Sequence, residues 1–84
     1  MNRFTLTTSD GKSFEIGCGR DIHTLSFLSG CLDMRLADVL DGLRGIEVRS
    51  VAREDSGICR IRFLAEMSLE EIHDSIITAI DNVR

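Results

Sequence analysis

Twice in this chain, apolar and polar residues alternate on both sides of a turn-forming dipeptide, a pattern that commits those segments to β-hairpins. Phe4 and Leu6 precede Ser9-Asp10-Gly11-Lys12, and Phe14 and Ile16 follow it. Asp-Gly favours a tight turn because glycine accepts positive φ. Ile46 and Val48 precede Glu54-Asp55-Ser56-Gly57, and Cys59, Ile61, Phe63 and Ala65 follow it. A period of two places each apolar set on one face of its strand.

Between the hairpins the periodicity changes. Leu25, Leu28 and Leu32 form one series at helical spacing, and Leu36, Val39, Leu40 and Leu43 form another. Gly30 separates them, and Asp33 is placed to cap a fresh start. The spacing predicts a first helix over 22–29 and a second over 34–44, stopped by Gly45. One long helix kinked at Gly30 is the alternative, and a strand over Thr24 to Leu28 ranks behind both. After the second hairpin, Ser68 and Glu71 form a capping box, and Met67 and Ile72 occupy the positions of a hydrophobic staple. Ile72, Ile76, Ala79, Ile80 and Val83 make the buried stripe of the last helix, with Glu70 and Glu71 at the positive end of its dipole.

The expected order is ββαββα, an α+β fold with one four-stranded antiparallel sheet and helices packed on one face. The two halves read as a hairpin followed by a helix, twice. The 84 residues suit a single domain, 1–84, and no proline interrupts them. The chain is 43% hydrophobic with four Phe and no Trp or Tyr, so the core is aliphatic. No apolar run approaches the roughly 18 residues that span a bilayer, and the first ten residues do not read as a secretory signal. Three cysteines at unpaired spacings are read as reduced thiols, which suggests a cytoplasmic protein with no membrane association.

The net charge is −4, yet the pattern divides it. With the apolar strand faces turned to the helices, the open sheet face carries Arg3, Thr5, Thr7, Glu15, Glu47, Arg49, Val51, Arg53, Arg60 and Arg62. The helices expose Asp33, Asp38, Asp41, Glu70, Glu71, Asp74 and Asp81. Arginine stems covering a bare sheet, and solvated acids on helices, are the ordinary explanation. The functional alternative is a pair of binding surfaces: Arg49, Arg53, Arg60 and Arg62 on one side, Glu70, Glu71 and Asp74 on the other. Nucleic acid ranks below protein as a partner because no aromatic lies on the basic face for base stacking. Rows of carboxylates can instead occupy a basic groove on another protein.

Chemistry-bearing residues give weaker signals. Cys18 stands between two glycines with Arg20 and His23 close in sequence, a setting that can lower a thiol pKa, but no Cys-x-x-Cys is present. Cys31 and Cys59 occupy apolar positions and read as core packing. The cysteines and histidines lack the paired spacing of a zinc site, so no metal is expected. Gly17-Cys18-Gly19 lacks the third glycine of a dinucleotide loop, and no cofactor is expected. His73 borders the last helix's buried stripe. These observations favour a non-enzymatic module that regulates or inhibits a partner protein by surface occlusion, as a phage- or plasmid-type inhibitor of a host complex would. Self-association as a homodimer is compatible with open sheet edges. The alternatives are nucleic-acid binding through the arginine face, and a thiol-dependent or ligand-binding protein centred on Cys18.

Overall fold

The computed structural model describes residues 2–8, 11–28 and 33–83. The chain order is β1 (Asn2–Thr7), β2 (Ser13–Cys18), β3 (His23–Leu28), α1 (Asp33–Asp41), β4 (Ile46–Arg53), β5 (Ile58–Ala65) and α2 (Leu69–Val83). The strands form one five-stranded sheet in the order β1-β2-β3-β5-β4, each neighbouring pair antiparallel.

Both hairpins form where the alternation places them. Phe4 pairs with Ile16 and Leu6 with Phe14 across the first. Gly11 and Gly57 take φ of 86° and 87° in the two turns, the left-handed conformation that glycine adopts without a Cβ penalty. The Thr8 N–H donates to the Lys12 carbonyl at 2.9 Å, and the Glu54 N–H to the Ile58 carbonyl at 2.8 Å.

The segment over 22–29 is the main correction. It contains a strand, not a helix, so the sheet has five strands and the order is βββαββα. The hairpin–helix repeat disappears with it. Leu25 and Leu28, one face of the expected helix, point to opposite sides: Leu25 is fully buried and Leu28 is 79% exposed. His23, Leu25 and Phe27 turn inward, while Thr24 and Ser26 turn out, a period of two hidden beneath the leucine spacing. Tertiary pairing overrides leucine's helical preference here, because β3 is hydrogen-bonded on one side to β2 and on the other to β5. Gly30 and the leucine at position 32 lie outside the described residues, and so does the expected kink.

β3 and β4 are both antiparallel to β5 and hence parallel to each other, so their connection must cross the sheet. α1 makes that crossing. It ends at Asp41, three residues short of the expected stop. The Gly42 N–H is shared between the Asp38 and Val39 carbonyls at 3.1 and 3.2 Å. Gly45, expected as the cap, lies instead in the turn into β4 with φ 84°.

Both helices pack on one sheet face. The core unites Ile16, Leu25, Cys59, Ile61 and Phe63 from the strands with Leu36 and Leu40 of α1 and the stripe Ile72, Ile76, Ala79, Ile80 and Val83 of α2. Phe14 and Phe27 meet within it, ring centroids 5.2 Å apart. The capping box closes as its spacing requires: the Glu71 N–H donates to Ser68 Oγ at 3.2 Å, and the Ser68 N–H to Glu71 Oε1 at 3.4 Å. That fixes the first turn of α2, which borders the edge strand β1.

Candidate functional site

The open sheet face is less basic than its sequence pattern implies. Between Val48 and Ser50 the β4–β5 register shifts, leaving Arg49 as a bulged residue. A bulge reverses which residues downstream face the core. Val51 therefore pairs with Ile61 and Arg53 with Cys59, both on the helix side, and neither belongs to the open face where the unbroken alternation places them. Arg49 reaches back to Glu47 at 3.4 Å, and Arg3 pairs with Glu15 at 3.2 Å.

Arg60 is the most engaged of the remaining arginines. Its Nε donates to Glu54 Oε1 at 2.6 Å and its Nη1 to Ser26 Oγ at 3.4 Å. The hydrogen bond from Arg60, and next its charge, hold the Glu54 carboxyl below its ordinary value. Arg62 is exposed and has no ion pair among the described residues. The chain's four phenylalanines sit on the inward positions of their strands, so this face has no ring for a base to stack on.

Cys18 also stands differently from its reading in sequence. Cys18 belongs to β2, not to a glycine loop, and His23 is its direct cross-strand partner. The two are buried together, with the imidazole 5.5 Å from the Phe63 ring. His23 Nε2 lies 3.4 Å from the Ala65 carbonyl, and its Nδ1 has no partner among the described residues. Burial raises the Cys18 pKa, the opposite of thiolate activation. Cys18 is therefore expected to react with a thiol reagent at neutral pH more slowly than free cysteine. Stopped-flow measurement against a free-cysteine standard checks this, and a faster native rate contradicts it. Cys59 is buried in the core as expected, and Cys31 lies outside the described residues. Among the described residues, no group of three or more His, Cys, Asp or Glu is arranged to hold a metal ion.

A different set of residues is brought together where the sheet ends. Phe4 of β1 and Leu69, Glu70, His73 and Asp74 of α2 line an open groove of about 510 Å³. Its floor is apolar: Phe4 is half-buried, and Leu69 is 41% exposed, although leucine is a large hydrophobe. Its rim is acidic. His73 lies 5.9 Å from the Phe4 ring, and its Nδ1 is 3.1 Å from Asp74 Oδ1. Glu70 and Asp74 are exposed and one helical turn apart, on the same flank of α2. Glu71 points elsewhere, to the capping box.

Glu70 and Asp74 were legible in the sequence as exposed acids. Phe4 and Leu69 were not, because Phe4 reads as an ordinary inward strand residue and Leu69 as an ordinary first-turn residue. Only the packing of α2 against the sheet edge joins them.

No protein-family model matches the chain, and no curated protein or solved structure matches it significantly. Among the described residues, no helix is long and apolar enough to cross a membrane.

Proposed function

We propose that this protein is a non-enzymatic interaction module that docks a partner protein along the groove between β1 and α2, withholding the covered surface from other ligands. The observation that carries this reading is the groove's composition: exposed leucine and half-buried phenylalanine beneath two exposed carboxylates, Glu70 and Asp74, the second of them beside His73. Apolar floors rimmed by charge are the anatomy of protein interfaces. The thiol-dependent alternative loses its support from the burial and raised pKa of Cys18. The nucleic-acid alternative is weakened by the ion pairs of Arg3, Arg49 and Arg60 and by the inward placement of the phenylalanines.

A photo-crosslinking residue placed at Leu69 tests the reading. In the native host it is expected to give a discrete protein adduct, identified by mass spectrometry. The same residue at Asn82, exposed at the far end of α2, gives none. Glu70→Lys with Asp74→Lys is expected to remove the Leu69 adduct. Adducts of equal yield from both positions, or adducts that survive the charge reversal, contradict the proposal.

A further inference from the structure

The sheet has two edges, and the structure treats them differently. At the β4 edge, Arg49 bulges the strand, the Val48 N–H is capped by Asp41 Oδ1 at 2.9 Å, and α1 packs alongside. Bulges and covering elements are the devices by which natural sheets block pairing with another chain. At the β1 edge, the six residues Asn2–Thr7 pair in unbroken register with β2 and, among the described residues, with no other strand. Among the described residues, no side-chain hydrogen bond covers the outer backbone of Arg3, Phe4, Thr5, Leu6 or Thr7. Alternate residues of an edge strand direct N–H and C=O groups away from the sheet, ready to pair.

The groove begins at this same edge. A strand added to β1 would direct every second side chain toward the helix layer, beside Phe4 and Leu69 and under Glu70 and Asp74. We propose that the partner docks by donating an extended segment as a sixth strand against β1. On its helix-facing side this segment carries an apolar residue flanked by lysine or arginine. This rests on the docking reading above and specifies its mode: main-chain hydrogen bonds supply affinity, and alternate side chains supply specificity.

Charge decides between a foreign segment and a second copy. Pairing β1 with β1 of another copy about a two-fold axis normal to the sheet brings the two grooves to one junction. Glu70 and Asp74 of both copies then face one another there, and like charges opposed at an interface are destabilising. A basic segment meets the same carboxylates with attraction.

The test uses the intact protein and a heptapeptide in which Thr alternates with Lys, Val and Lys, titrated by amide NMR. Shifts are expected at residues 3–7 and 69–74. Replacing both lysines with Glu is expected to weaken binding about tenfold or more. N-methylation of one alternate set of peptide amides is expected to cost about tenfold or more, while methylation of the other set changes affinity less than about threefold. Equal effects of the two methylated sets overturn strand addition while leaving the groove as a docking site. Absence of binding at about 1 mM peptide, with Leu69 crosslinks intact, also overturns strand addition alone. A dimer in light scattering whose β1 amides are the protected ones overturns the choice of a foreign segment.

Discussion

Leu25→Ala is expected to cost about 2–5 kcal/mol, whereas Leu28→Ala changes stability by less than about 0.5 kcal/mol. The contrast follows from β3. Leu25 is fully buried between Ile16 and Ile61, its partners on either side in the sheet, while Leu28 is 79% exposed. Truncating Leu25 leaves a cavity in the centre of the core, where the surrounding strands cannot close in. A chain of 84 residues has a total stability of about 4–13 kcal/mol, so the loss takes a large share and leaves the variant partly unfolded at modest urea. In a helix over 22–29 the two leucines would share a buried face and their truncations would cost alike. Urea midpoints of the two variants separate the cases. Equal losses would exclude the strand.

Gly19→Ala is expected to destabilise by about 2–3 kcal/mol, while Gly17→Ala is neutral or stabilises by about 0.4–1 kcal/mol. Gly19 makes the turn from β2 into β3, its N–H donating to the Ile22 carbonyl at 3.2 Å. A Cβ at Gly19 would lie 2.6 Å from that same carbonyl oxygen. The obstructing atom is backbone and cannot rotate away, so relief requires opening the turn that delivers β3 to the sheet. A Cβ at Gly17 meets nothing within 4 Å. There the substitution mainly reduces the freedom of the unfolded chain. Thermal melts of the two variants should move in opposite directions or leave Gly17→Ala unmoved. A Gly19→Ala variant as stable as the native chain would contradict the turn's geometry.

These positions also show where sequence reasoning ended. Both hairpins and α2 were legible because local signals agreed with the fold. Ser68 and Glu71 cap, Ile72 to Val83 bury the stripe, and Gly11 and Gly57 turn. β3 was not legible because local and non-local signals conflict there. Leu25, Leu28 and Leu32 match a helical period, and only pairing with β2 and β5 selects the alternation of His23, Leu25 and Phe27. The bulge at Arg49 has no marker in the sequence, so the inward turn of Val51 and Arg53 was hidden as well. The acidic half of the groove could be named from exposed helix positions. Its apolar half depends on a contact between residue 4 and residue 73, which no local pattern encodes. The Cys18–His23 pairing is hidden for the same reason, since the two are partners across a ladder whose local pattern resembles a helix start.

Residues 23–28 form an interior strand, and residues 2–7 form an open edge beside α2. Amide hydrogen exchange by NMR tests both parts in one experiment. Slow exchange is expected at successive amides from His23 to Ser26, paired on both sides, and alternating fast and slow exchange along β1, paired on one side only. Exchange that is uniformly fast from His23 to Ser26 would contradict the interior strand. Protection of every amide from Arg3 to Thr7 in the isolated protein would contradict the open edge and, with it, the proposed site.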